Sequence, residues 1–228
     1  MSRKHLRFAV EGKCELAFVT ETLKPYLLRH NIDSIATCVS SCDDSGNEKL
    51  GGFPKEDAYI NIKEGINRFL IQYPELCVTT MFDLYALPCD FPGYKEAMWK
   101  KDKYDMVNYL ENALALDINS PRFIPYIQLH ELEALILADP HSLSSHYREA
   151  AHLSAINELA EMVAGGNPEL VNDGPDTCPS KRIMSMIKGF RRKAPAWQVI
   201  AKKIRIEVIR EKCRHFDEWL TVLESLGR

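Results

Sequence analysis

Glu11 and Glu15 are the first residues of the chain whose types and spacing could do chemistry. They follow the apolar run Leu6-Arg7-Phe8-Ala9-Val10 and flank Gly12, so the run reads as a buried strand that turns at the glycine into a helix. Glu11 then ends the strand and Glu15 lies in the first helical turn, where the two carboxylates can approach each other. Paired carboxylates at a strand edge are ligands for a divalent cation. The ordinary alternative is that the helix dipole favours Glu15 and that Glu11 is simply solvated.

Three further acids share this placement. Asp83 closes the apolar run at 77–82, and Glu131 and Glu133 follow a fourth apolar run at 123–128. In an open α/β sheet, ligands gather outside the carboxyl ends of the strands, where all of these acids would stand. On one helix Glu131 and Glu133 would be about 200° apart, so only one of them is expected to face a shared ion. Hard oxygen donors suit Mg²⁺ or Mn²⁺, and the sequence has no His/Cys cluster for zinc. Lys181, next to the helix-starting pair Pro179-Ser180, is opposed by the helix dipole by about 0.3–1 kcal/mol. That placement is explained by a negative partner, phosphate or the acid cluster, or by a side chain that reaches into solvent. Asn172, Asp173 and Gly174 would shape the loop before it. His130 fits a structural role as well as a proton carrier. A basic series, Arg182, Lys188, Arg191, Arg192 and Lys193, then Lys202, Lys203 and Arg205, is either a nucleic-acid face or solvated surface.

The elements that must position these residues alternate. Strands are expected at 6–10, 34–39, 77–82 and 123–128, the last at a sheet edge because of Pro125. Helices are expected at 16–30, bent at Pro25, and at 60–70, 94–116 and 130–137. Residues 40–54, rich in Ser, Asp and Gly, read as a loop over the strand ends. Residues 1–140 therefore predict an α/β domain with a mainly parallel sheet flanked by helices. Residues 141–228 predict a helical extension that packs on it and supplies Lys181, with helices at 148–164, 180–190, 195–212 and 215–226.

Composition narrows the function. With 46% apolar residues in 228, a sizeable core is expected, and the net charge of −3 gives no global attraction for nucleic acid. Binding to phosphates must come from a local basic patch or a bridging metal. The seven cysteines, Cys14, Cys38, Cys42, Cys77, Cys89, Cys178 and Cys213, form no Cys-x-x-Cys pair and read as reduced thiols. With no long apolar segment, neither a signal peptide nor a membrane span is expected, and the cytoplasm is the expected compartment.

Four motifs carry a resemblance: Val-Glu-Gly-x-x-Glu at 10–15, Asp-x-Tyr at 83–85, Gln-x-His-Glu-x-Glu at 128–133 and Asn-Asp-Gly-Pro-x-x-x-Pro-Ser-Lys-Arg at 172–182. Together they resemble Toprim-like proteins, especially the nuclease halves of OLD (overcoming lysogenisation defect) proteins and an uncharacterised Toprim-like bacterial family. The resemblance implies a Toprim-like fold and phosphodiester hydrolysis with Mg²⁺ or Mn²⁺. It makes Glu11, Asp83 and Lys181 catalytic and Glu11, Glu15, Asp83 and one of Glu131 and Glu133 metal ligands. Lys181, Arg182, Arg191 and Arg192 would meet nucleic acid, DNA ahead of RNA. It further implies work beside an ABC-type or AAA-type ATPase in phage defence or DNA processing. The sequence contains no Gly-x-x-x-x-Gly-Lys-[Ser/Thr] motif, so that ATPase would be another protein. Tyr85 stands where the family has a second acid, with Asp90 as a possible substitute. This departure supports a second reading, a non-catalytic Toprim-like module that binds nucleic acid or a partner. A phosphatase with a nucleophilic aspartate at the end of the first strand is disfavoured, because Glu11 stands there.

Overall fold

The computed structural model describes residues 3–39, 58–171, 177–191 and 194–228. Strand β1 (Lys4–Val10) lies between β2 (Ile32–Cys38) and β3 (Leu76–Asp83), and two short strands, β4 (Phe123–Ile124) and β5 (Ile127–Gln128), follow along β3. Among the described residues every pairing is parallel. This is the α/β architecture that the alternation of runs predicts. β1 can sit in the middle because it buries side chains on both faces, Leu6, Phe8 and Val10 on one and Ala9 on the other.

The link from β1 to β2 is α1 (Lys13–Phe18), a π-helical turn at Val19–Leu23 and α2 (Lys24–Arg29). Pro25 lies at the start of α2, and the widened turn before it accommodates the missing N–H and the ring. Helix α3 (Ala58–Gln72) leads into β3, and the Arg122 guanidinium binds the carbonyls of Leu70, Tyr73 and Leu76 at its end.

Several expected boundaries differ. The helix expected over 94–116 is two, α4 (Tyr94–Ala97) and α5 (Lys103–Ile118). The Asp102 carboxylate accepts the Asp105 N–H at 3.0 Å and starts the second one afresh. The strand expected over 123–128 is broken at Pro125 and Tyr126. There the Thr80 hydroxyl replaces the ladder, accepting the Tyr126 N–H at 2.7 Å and donating to the Tyr126 carbonyl at 2.8 Å. The helix expected over 130–137 begins later, as α6 (Glu133–Ala138), because His130 takes a left-handed φ of +62°. The stretch 195–212 is also two helices, α9 (Ala194–Ala201) and α10 (Ile206–Lys212). Between them Arg205 offers its backbone N–H and guanidinium to Asp139, and Lys212 Nζ then caps the Ala138 carbonyl at 2.9 Å.

One sheet face, with Ala9, Val78 and Phe82, is covered by α3 and α5 through Ile62, Ile66, Phe69, Leu110 and Leu114. The other face, with Leu6, Phe8, Val10 and Met81, shares one apolar cluster with α1, α2, α6, α7 (Ala150–Val163), α8 (Pro179–Met186), α9, α10 and α11 (Arg214–Ser225). Trp219 of α11 ties this layer to the sheet. Its indole N–H donates to Thr79 Oγ1 at 3.0 Å and its ring stacks on Tyr126 at 4.0 Å. Among the described residues no disulfide forms, and no helix is long and apolar enough to cross a membrane.

Candidate functional site

Because all strands run the same way, their carboxyl ends share one edge. The register pairs Val10 with Met81 and Asp83 with Gln128, so Glu11, one residue beyond β1, is level with Phe82 and beside Asp83. A Cβ on Gly12 would lie 3.1 Å from Glu15 Oε2, so the Glu15 carboxylate folds back over the glycine. Gly12 itself is extended at φ −154°, which any residue can adopt. The glycine serves close approach of a carboxylate here, not the sharp turn that its position in the sequence implied.

The opposite side of the edge is assembled by two backbone amides. Asp83 Oδ1 accepts the Leu132 N–H at 2.8 Å, which draws the segment after β5 onto the end of β3. Glu131 Oε2 accepts the Ser180 N–H at 3.0 Å, which seats the first turn of α8 there. Glu131 lies outside the helix that contains Glu133, so the expected 200° separation does not apply. Glu133 is fully buried in α6, while Glu131 keeps a 9% opening and the contact to α8. Glu11, Glu15 and Asp83 are likewise buried. Lys181, exposed and one residue past the bound amide, stands in the first turn of α8 as its sequence implied.

The donors at this edge are carboxylates, which fit Mg²⁺ or Mn²⁺ and not a thiolate or imidazole site. Among the described residues, no group of three or more His, Cys, Asp or Glu side chains stands at metal-holding distance. Two of the acids instead each hold a backbone amide, at Leu132 and Ser180. Asp90 is directed elsewhere, accepting the Tyr59 N–H at 3.3 Å near the start of α3.

Two aromatic residues complete the edge, and sequence reasoning assigned them no joint role. The rings of Tyr85 and His130 lie 5.2 Å apart, and the Tyr85 N–H donates to the His130 carbonyl at 3.3 Å. Burial lowers His130 to about 4, the nearby Lys103 adding to this and Glu131 opposing it, so the imidazole is neutral at pH 7. Burial also pushes the Tyr85 phenol up to about 12, with Cys178 and Glu131 adding to it. Nothing in the spacing signals this pair, because it depends on the left-handed backbone at His130.

The basic series is only partly available. Arg182 is half-buried, with Nε on the Thr177 carbonyl at 2.9 Å and Nη1 3.9 Å from Met162 Sδ. These contacts hold its side chain at the α8 entrance. Lys202 pairs with Glu21 at 3.5 Å and Arg205 with Asp139 at 3.0 Å. Lys188 and Arg191 are exposed. Residues 40–57, including Cys42, together with Asn172, Asp173, Gly174, Arg192 and Lys193, lie outside the described residues.

No curated protein matches the chain. Among solved structures, the C-terminal region of the Xanthomonas campestris pv. campestris OLD protein is similar in two forms. One, phased with platinum, has a TM-score of 0.41 at 12% identity over 99% of this chain and 98% of that one. The other, phased with iodine, has a TM-score of 0.38 at 12% identity over 96% and 97%. The model of a family described as a domain of unknown function, DUF4276, matches residues 10–224, and the chain belongs to that family.

Proposed function

We propose that the chain is a metal-dependent nuclease of the Toprim-like, OLD-related type that hydrolyses phosphodiester bonds. One arrangement carries this reading: buried Glu11, Asp83 and Glu131 follow neighbouring strand ends, and Glu131 seats the turn that bears Lys181. The four motifs that resemble Toprim-like and OLD proteins support it. Glu11, Glu15, Asp83 and Glu131 would hold Mg²⁺ or Mn²⁺, and the fully buried Glu133 would support α6 from within. Such an ion would polarise the phosphodiester and make a bound water more acidic than bulk water. Lys181 would offset negative charge that develops on the phosphate oxygens. Lys188 and Arg191, exposed further along the chain, would steer nucleic acid toward this edge, with DNA expected ahead of RNA. A separate ABC-type or AAA-type ATPase, in phage defence or DNA processing, is the partner that the resemblance implies.

The test is incubation of purified protein with plasmid, single-stranded DNA and RNA in Mg²⁺, Mn²⁺ or EDTA, with and without any ATPase encoded beside it. Cleavage that needs the metal is the expected result. A non-catalytic module that binds nucleic acid or a partner is favoured by two observations, the absence of a closed group of ligands among the described residues and Tyr85 in place of an acid. Binding without cleavage in every combination would select that reading.

A further inference from the structure

Tyr85 is a residue at this edge that the proposed chemistry leaves unused. It lies two residues beyond Asp83 in the short turn Leu84–Ala86, and it is 48% exposed although Asp83 and Leu84 before it are buried. A single exposed aromatic residue carries no message by itself. This one is held in place. Its N–H is bound to the His130 carbonyl at 3.3 Å, and the buried His130 imidazole lies 5.2 Å from its ring, on a backbone set in the left-handed region. A half-exposed aromatic ring is thus held against His130, two residues from Asp83 and within electrostatic reach of Glu131.

We infer that Tyr85 is a base-stacking platform and that the site takes single-stranded nucleic acid, a frayed end or a loop, in preference to intact duplex. The inference rests on the nuclease reading above and specifies its substrate. A strand whose phosphate meets Lys181 and a cation held by Asp83 would carry its neighbouring base toward the ring. In a duplex the faces of that base are covered by the base pairs above and below. Only an unpaired base can place its face on Tyr85. Every nucleobase has such a face, so the contact selects strandedness and not sequence.

The experiment is fluorescence anisotropy on the full chain in Ca²⁺, with three probes of equal length: oligothymidylate, an abasic strand and a duplex. The abasic strand keeps the phosphates and removes the bases. Wild type is expected to bind oligothymidylate roughly tenfold more tightly than the abasic strand, the scale of one base stacked on an aromatic ring. Tyr85→Leu should remove that advantage, while Tyr85→Phe and Tyr85→Trp keep it, with melting temperatures showing that each variant folds. Full base preference in Tyr85→Leu, or duplex binding as tight as single-strand binding, would overturn the inference. Metal-dependent cleavage with no preference for the base-bearing strand would overturn it and leave the nuclease reading standing. Failure of folded wild type to bind any of the probes would overturn both.

Discussion

Glu131 Oε2 accepts the Ser180 N–H at 3.0 Å across 49 residues of sequence, and this bond seats helix α8 against the ends of the strands. The carboxylate therefore has two separable duties, acceptor for α8 and proposed metal ligand. Glu131→Gln keeps an acceptor oxygen and loses the charge, whereas Glu131→Ala loses both. The glutamine variant should melt close to wild type yet bind Mn²⁺ more weakly in an electron paramagnetic resonance titration. The alanine variant should also lose about 1–3 kcal/mol of stability, the cost of a buried hydrogen bond removed from one side.

Lys181 separates position from chemistry. Its side chain is exposed, so Lys181→Ala should leave the melting temperature and Mn²⁺ binding unchanged. Single-turnover cleavage should slow by roughly 10²–10³-fold, as happens when a group that stabilises transition-state charge is removed. An unchanged rate would remove Lys181 from the mechanism.

The strand ends were legible in the sequence because three of the four expected apolar runs stop at an acid or shortly before one. Glu11 and Asp83 stand where that pattern puts them. The parallel sheet was legible from the alternation of runs. What could not be read locally depends on contacts distant in sequence. Glu131 differs from Glu133 in its bond to the amide of Ser180 and in lying outside α6, and Arg182 is held by Thr177 and Met162. Boundaries moved where a side chain competes with the backbone ladder: Thr80 opposite Tyr126, Asp102 at the start of α5, and Asp139 holding Arg205. The left-handed backbone at His130, which sets the place of Tyr85, has no signature in residue type.

Trp219 tests how far the sheet depends on the C-terminal helices. It packs on Phe8, Tyr126 and Phe216 and donates its N–H to Thr79. Trp219→Ala should cost about 3–5 kcal/mol in urea denaturation, the range for a large aromatic residue removed from a core. Residues 1–140 expressed alone should fail to unfold cooperatively, because the sheet face that carries Phe8 would keep α1, α2 and α6 but lose the cover of α7 to α11. A cooperative transition in that fragment would show that the helical layer is dispensable for folding.

His215 provides a pH dependence remote from the strand edge. Burial opposes its protonation, but the hydrogen bond and charge of Glu111, 2.9 Å away on α5, prevail, and Glu169 and Glu218 add to them. The folded pKa is thus raised above the unfolded value of about 6.5. A raised pKa means that this stabilisation is complete below the unfolded value and is lost as pH rises through the folded one. Glu111→Gln, which retains an acceptor for the Ile127 N–H, should therefore cost more stability near pH 6 than near pH 9. An equal cost at both pH values would show that the pair is not charged.

In the proposed site, carboxylates at one strand edge would hold a catalytic metal, with Glu11 as the acid at its centre. The measurement is Mn²⁺-dependent cleavage of single-stranded DNA and plasmid by wild type and Glu11→Ala, purified identically and compared in melting temperature. Wild type is expected to cleave in Mn²⁺ and not in EDTA, and Glu11→Ala is expected to fold but neither bind Mn²⁺ nor cleave. Cleavage that survives in Glu11→Ala, or a folded wild type that binds no Mn²⁺ and cuts neither substrate, would contradict it.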